Sequence, residues 1–476
     1  MKDKVQLSYG EAGMSIVDHL ELESQVSIDQ LRVDLKGRVI TSRDADYDEV
    51  CSGLNIEVIR RPALIVRPVD AVDVARVVKL ARETGLELAI RSGGHSLAGF
   101  STVDEGVVLD LSQMKGLEIN VEEQTAWAEA GLTAGEYTVT AAAHGLATGF
   151  GDTASVGLGG LTTGGGIGYL VRKYGLTIDN LLAVRMVTAD GQIRYVDAEN
   201  NPDLFWAIRG GGSNFGIVTH FKYRLHPVDT IVGGMLVLPA TAPVIAAFAR
   251  AAEAAPDELS TIVSIMPAPS MPFIPEAYHG QLVTLAMMVY TGEVEEGLRV
   301  VEPFRKLAEP IVDMIGPMPY PEIYWPQDPD YHPATALRSK FIERVDEATA
   351  QIMLDHLQAS SAPMRIAEFR VLGGAMARIP VEATAFAHRL SRVMLSFIVQ
   401  YENRDEAAIH HSWAAGAAAD VQQGAGVYVN FVGNEGKERI NDAYPSATQE
   451  RLAAIKAKYD PTNFFRRNQN IAPKAK

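Results

Sequence analysis

A histidine set in a glycine turn, Arg91-Ser92-Gly93-Gly94-His95-Ser96, is the residue best placed for chemistry in this chain. Glycine takes backbone conformations closed to other residues and lets a chain approach a ligand closely. An imidazole on such a turn is therefore presented for reaction. Two more glycine-dense segments lie downstream. Residues 149–168 hold nine glycines, and residues 205–219 contain Arg209-Gly210-Gly211-Gly212-Ser213-Asn214-Phe215-Gly216. Backbone without side chains bares its N–H groups, and successive N–H groups make concave anion sites suited to a pyrophosphate. Neither G-x-G-x-x-G nor G-x-x-x-x-G-K-[ST] occurs in them, which speaks against a Rossmann domain or a P-loop. From the residues alone, tight turns in a large sheet protein remain a second reading.

The elements that must position these turns alternate between strand and helix. The apolar run 63–66 reads as a buried strand. A helix opens at Asp70, a good N-cap, carries Val74, Val77, Val78 and Ala81 at helical spacing, and ends at Gly85. The run Leu86-Glu87-Leu88-Ala89-Ile90 then leads into the histidine turn. Further strands are expected at 106–110, 125–128 and 182–188, the last entering a hairpin at Asp190-Gly191. After residue 225 the pattern changes to helices at 239–256, 295–307, 347–360 and 381–389, with strands at 282–290, 364–372 and 393–401. An antiparallel sheet backed by helices is the natural architecture. Residues 1–54 offer only a mobile start and a short helical lead-in near Ser27-Ile28-Asp29-Gln30-Leu31.

At 476 residues the chain exceeds one ordinary core and calls for two or three domains. A formal charge of −16 opposes binding to nucleic acid or an anionic membrane. No apolar run is long enough for a spanning helix, and the first residues lack the apolar core of a secretory signal. The single cysteine, Cys51, excludes an internal disulfide and a cysteine-built metal site. His388, His410 and His411 lack metal-ligand spacing, so no metal is expected. With no glycosylation sequon either, a cytoplasmic protein, monomeric or homodimeric, is the expectation.

In order along the chain stand Arg91-Ser92-Gly93-Gly94-His95, Val156-Gly157-Leu158-Gly159-Gly160, Gly164-Gly165-Gly166-Ile167-Gly168, Arg172-Lys173-Tyr174-Gly175-Leu176, the third glycine segment and the terminal Tyr459-Asp460-Pro461-Thr462-Asn463-Phe464-Phe465. This series closely resembles the berberine-bridge-enzyme-like flavoproteins of the vanillyl-alcohol oxidase and para-cresol methylhydroxylase superfamily, from about residue 55 to the C-terminus. The resemblance implies an α+β fold: a two-lobed FAD-binding domain with an inserted antiparallel-sheet substrate domain backed by helices. The expected boundaries are a lead-in at 1–54, FAD-binding residues 55–225, a substrate domain at 226–426 and a C-terminal segment, 427–476, completing the FAD domain.

The resemblance further implies FAD bonded to His95 through its 8α-methyl carbon. Many relatives add a second bond from a cysteine three residues before the valine of V-G-x-G-G. Thr153 stands there, so a single link is expected. Arg91, Ser92, Gly93, Gly94, Ser96 and Gly99 would hold the cofactor around that histidine. The backbone from Gly157, Gly159 and Gly160 through Thr163, Gly164, Gly165, Gly166 and Gly168 would cradle the pyrophosphate. Ile217 and Val218 would pack beside the rings, with Asn463 and Gln469 fixing the cofactor near the end of the chain. A small side chain at Val156 leaves dioxygen access to the flavin in this family, since one methylene closes a packed channel. An oxidase releasing hydrogen peroxide follows. A dehydrogenase serving a quinone, or a flavin-loaded binding protein, are the alternatives.

The departure from the family lies in Tyr428-Val429-Asn430-Phe431. Plant relatives carry a tyrosine base at the fourth position, and Phe431 takes no proton. On a regular strand Tyr428 and Asn430 would share the face opposite Phe431. The base could instead come from the substrate sheet, where Glu368 and Arg370 share a face and Tyr290 ends another strand. A carboxylate facing an apolar flavin pocket has a raised pKa suited to base work. The substrate is expected to be a small alcohol, amine or sugar-like molecule, with dioxygen as the second partner.

Overall fold

A computed structural model describes residues 27–53, 58–325 and 333–475. The expected mobile start falls outside the described residues. The lead-in helix is Ile28–Asp34, whose first turn is capped by the Ser27 hydroxyl accepting from the Gln30 N–H.

The first lobe is a four-stranded sheet. Leu64–Arg67 and Leu88–Arg91 flank Val107–Asp110 in parallel, and Arg38–Ile40 adds an antiparallel edge. Parallel strands need a crossover, and the helix Ala71–Thr84 supplies it. Asp70 caps its start by accepting from Val72 and Asp73, and Gly85, at φ 72°, ends it. Its Val74, Val77, Val78 and Ala81 are buried as the periodicity requires. The second lobe is a five-stranded antiparallel sheet in the order Leu117–Asn120, Thr125–Glu129, Ile217–Arg224, Leu181–Val187, Ile193–Asp197.

A larger antiparallel sheet follows. Its strands run Val312–Asp313, Thr230–Pro239, Leu282–Tyr290, Leu259–Pro267, Met364–Val371, Val393–Tyr401, Ala334–Ile342, with Gly316–Pro319 also paired to Thr230–Pro239. One face is covered by the helices Ala242–Ala254, Val294–Arg305, Glu347–Ala359 and Ala407–Asp420, which bury Phe248, Phe304, Met353 and Ala417 against Leu236, Val263, Phe369 and Leu395. The other face turns to the first two sheets. On it the register aligns Met235, Met287, Ile262, Arg370, Met394 and Phe341 in one row across six strands. The architecture is α+β, in two domains.

Two arginines fasten the domains. Arg172 donates to the Ala252 and Ala255 carbonyls at 2.8 Å each. Buried Arg389 makes a two-pronged pair with Asp179 at 2.7 Å on both arms. The chain's end returns to the first domain: Val427, Tyr444, Leu452, Phe465 and Ile471 share a core with Leu64, Val108's neighbour Val107, and Phe221.

Several elements differ from expectation. Residues 381–389 form only a single 3₁₀ turn, Val381–Ala383, not a helix. Their backbone groups pair outside the segment, the Glu382 carbonyl with Trp206 Nε1 at 2.8 Å and the Ala385 N–H with the Trp206 carbonyl at 3.3 Å. Five strands of the large sheet, Thr230–Pro239, Leu259–Pro267, Val312–Asp313, Gly316–Pro319 and Ala334–Ile342, went unanticipated, as did Arg38–Ile40, Leu117–Asn120 and Ile217–Arg224 in the first two sheets and the helix Ala407–Asp420. Gly233-Gly234 inside Thr230–Pro239 mimics a turn, and the last helix is alanine-rich, with no clear apolar stripe.

Candidate flavin and substrate site

The histidine turn leaves the strand Leu88–Arg91 and is fixed at its base. Buried Asp110 takes Arg91 Nη1 on one oxygen and Arg67 Nε on the other, both at 2.8 Å. Burial alone would raise the Asp110 carboxyl, but Arg91 and Arg67 together hold it below its ordinary value. The next residue locks the turn to the second glycine segment. Ser92 Oγ donates to the Ala130 carbonyl at 2.7 Å and accepts the Gly159 N–H at 3.1 Å.

At this crossing the two backbones touch. A Cβ on Gly93 would overlap the Gly157 nitrogen, and one on Gly157 would overlap both Gly93 N and Ser92 Oγ. His95 thus faces residues 155–157, and Ser155 Oγ lies 3.0 Å from its Nε2. Gly94 and Gly99 turn the chain at φ 79° and 67°. Ser96 accepts the Phe100 N–H, and the Gly99 carbonyl accepts from Arg60 and from Arg467 of the C-terminal segment.

The remaining glycines pack the second segment against its neighbours. Thr163 joins it to the third, its carbonyl accepting the Gly210 N–H at 2.9 Å. A Cβ on Gly164 would strike the Asn430 side chain, one on Gly166 Thr177, and one on Gly168 the Phe150 carbonyl; Gly165 stands at φ 141°. Gly160 differs: nothing lies within 4 Å of where its Cβ would be. Ile217 and Val218 are buried in the core of the first domain, and Val156 packs at its margin.

The C-terminal segment closes the third glycine segment. Asn214 donates to the Gln469 carbonyl and accepts the Ile471 N–H, while buried Lys456 reaches the Asn214 and Phe465 carbonyls and Asp460. Gln469 Nε2 is engaged by the Val432 and Gly433 carbonyls. By contrast, Oδ1 of Asn463, Asn468 and Asn470 and Nε of Arg91 and Arg467 are buried without a partner. So many orphaned groups on two adjoining segments are unusual for a finished interior. Amide oxygens and guanidinium N–H groups beside glycine backbone fit the hydroxyls and phosphates of a dinucleotide such as FAD.

Facing this cradle is a buried ionic cluster. Arg370 Nε donates to Glu368 Oε1 at 2.9 Å, and its Nη2 donates to Asp152 Oδ2 at 2.6 Å, across 218 residues of sequence. The Arg370 guanidinium lies 5.2 Å from the centroid of the Phe431 ring. Burial raises the Glu368 carboxyl; Arg370 pulls against it, while the Asp152 charge pushes the same way as burial. Tyr169, beside the cluster, is pushed well above its ordinary value, first by burial and then by Asp152. The register sets Ser396 opposite Glu368, with its hydroxyl buried and unpartnered.

Two expectations change here. Tyr290 lies on the other face of the sheet, packed against Gly297 and Val232 beneath the helices, away from Glu368. Residues 429–431 form a 3₁₀ turn rather than a strand, so the expected alternation fails: Tyr428 and Phe431 are neighbours, with ring centroids 5.4 Å apart. The Tyr428 oxygen accepts from the Gly166 N–H at 2.8 Å and Asn430 Nδ2 at 2.9 Å, and burial pushes its pKa up to about 12. Asn430 also donates to the Gly160 and Leu161 carbonyls. Cys51 is buried in a separate apolar cluster with Tyr47 and Ile65.

Residues 62–197 match the model of an FAD binding domain, and residues 427–472 that of berberine and berberine-like proteins. An FAD-linked oxidoreductase of Dictyostelium discoideum is 32% identical, the match covering 92% of this chain and 95% of the relative. The chain belongs to the berberine-bridge-like FAD-linked oxidoreductases. Among this family's members, (R)-6-hydroxynicotine oxidase of Paenarthrobacter nicotinovorans is 29% identical, over 92% of this chain and 97% of its own. The crystal structure of 6-hydroxy-D-nicotine oxidase from Arthrobacter nicotinovorans superposes with a TM-score of 0.82 at 27% identity, covering 92% and 98%. This berberine-bridge-like enzyme thus binds FAD. Among the described residues no group of His, Cys, Asp and Glu could hold a metal, and no helix is long and apolar enough to cross a membrane.

Sequence reasoning missed Asp152, Ser155, Tyr169 and Ser396. Asp152 and Ser155 lie inside the glycine segment already singled out, so an acid and a hydroxyl three positions apart among its glycines were the available signal. Nothing in the sequence marks Tyr169 or Ser396, whose partners come from distant strands.

Proposed function

We propose that this enzyme is an oxidase that carries FAD on His95 through a single covalent bond and oxidises a small alcohol, amine or sugar-like molecule by two electrons. One observation carries the reading. The loop from Asp152 to Ser155 holds the substrate-face cluster at one end, through Arg370, and His95 at the other. Three residues span about 10 Å at most, the scale of a flavin ring system lying between its anchor and its substrate.

FAD, held by His95 and the glycine cradle, would supply the two-electron acceptor for the substrate, with dioxygen as final oxidant and hydrogen peroxide as product. Glu368 takes the proton from the substrate's O–H or N–H, burial making its carboxylate a stronger base than an exposed one. Arg370 and Asp152 fix the orientation of that carboxylate. Phe431 and Met394 line the same face and keep water from it, which strengthens the electrostatics inside. Tyr428, with two donors on its oxygen, braces Gly166 instead of serving as base. The small Val156 side chain supports access for dioxygen.

Rapid mixing tests the acceptor. Substrate added without air should bleach the flavin, and admitting air should restore the colour with one peroxide per turnover. Reoxidation slower than turnover with a quinone would make it a dehydrogenase. Failure of alcohols, amines and sugars alike to bleach the flavin would leave a binding protein.

A further inference from the structure

We infer that Ser155 is the positioning residue for flavin attachment: its hydroxyl accepts the Nε2–H of His95 and so places the bonding lone pair on Nδ1. The inference rests on the covalent reading above. Its basis is geometric. Ser155 Oγ and His95 Nε2 are 3.0 Å apart, and the two segments bearing them are held by backbone contact at Gly93 and Gly157 and by Ser92 bridging Ala130 and Gly159. That crossing fixes the backbone two residues from each side chain. When Ser155 Oγ accepts from Nε2, the ring proton sits on that nitrogen and the lone pair is left on Nδ1.

Attachment exchanges one C–H bond of the flavin's ring methyl for a C–N bond to Nδ1. The methyl carbon is oxidised by two electrons. Those electrons pass through the flavin to dioxygen, the co-reactant. The two hydrogens, one from the methyl group and one from the imidazole, leave in the hydrogen peroxide formed. As Nδ1 bonds to carbon the ring becomes cationic, and Ser155 Oγ stabilises the Nε2–H until its proton departs.

The test uses the full-length protein made under riboflavin limitation and reconstituted with FAD in air. Samples are precipitated with acid at intervals, and flavin is measured in the pellet and the supernatant. Wild-type flavin found only in the supernatant would overturn the covalent reading itself, whatever Ser155 does. With wild-type flavin in the pellet, Ser155→Ala should still bind FAD but attach it roughly tenfold more slowly. The dependence of the attachment rate on pH should shift, and Ser155→Thr should restore both rate and profile. An unchanged rate and profile in Ser155→Ala would overturn the inference. So would loss of FAD binding in both variants, which would make Ser155 structural.

Discussion

The two halves of the site are held by opposite means. The histidine turn is fixed by backbone against backbone, at glycines where any Cβ would collide. The substrate face is fixed by side chains, with Glu368 and Asp152 sharing one guanidinium whose own row across the sheet is apolar. The first half suits the holding of a large rigid cofactor. The second leaves two ionisable groups whose proton balance can change during a reaction. A cradle made of glycine leaves little chemical variety, whereas a cluster of acids and a base can be retuned by single substitutions.

The largest effect that would sharpen this contrast is expected from Glu368→Gln. Loss of a general base costs about 10²–10⁴-fold, so kcat/KM should fall by that factor while FAD binding is retained, and the acidic limb of the pH profile should vanish. A variant within threefold of wild type would remove Glu368 from catalysis. Next comes the cradle. Gly157→Ala should lower stability by about 1–3 kcal/mol through overpacking, whereas Gly160→Ala, with open space around it, should be nearly neutral. Thermal melts of the two proteins check this, and equal losses would refute the account of the crossing.

A smaller effect is expected at Val156. Val156→Leu should slow reoxidation of reduced flavin by air roughly tenfold, with little change in the rate of its reduction by substrate. Slowing of both steps alike would make the residue a packing element only.

The smallest effect is a difference in sign. Asp110 is depressed in the folded state, so its contribution is complete above its ordinary pKa of 3.8 and is lost as pH falls through the folded value. Glu368 is raised, so the folded protein keeps a proton that the unfolded chain releases near 4.5, and stability falls as pH rises from there through the folded value. Denaturant melts across pH should therefore lose the alkaline-going slope in Glu368→Gln and the acid-going slope in Asp110→Asn.

The same contrast explains what was legible in the sequence. Glycine runs declare themselves because only glycine satisfies a backbone crossing, so the turn at His95 and the segments at 149–168 and 209–216 stand out without any partner in view. The helix after Asp70 and the strands near residues 64 and 364 were equally plain, since cap and periodicity are local. Glu368 and Arg370 could be paired from strand alternation alone. Their third member could not, because Asp152 meets Arg370 only after the chain has built an entire second domain. The 3₁₀ turn at 429–431 was hidden for a related reason: Asn430 leaves strand geometry to reach the carbonyls of Gly160 and Leu161. In residues 381–389, contacts with Trp206 outweigh local helix preference.

The hydrogen bond from the Ile471 N–H to Asn214 Oδ1 has a consequence for folding. The third glycine loop receives its closing partner from a segment 257 positions further along the chain, beyond the whole inserted sheet. A folding chain therefore leaves this loop open until the segment beyond the inserted sheet has docked on it.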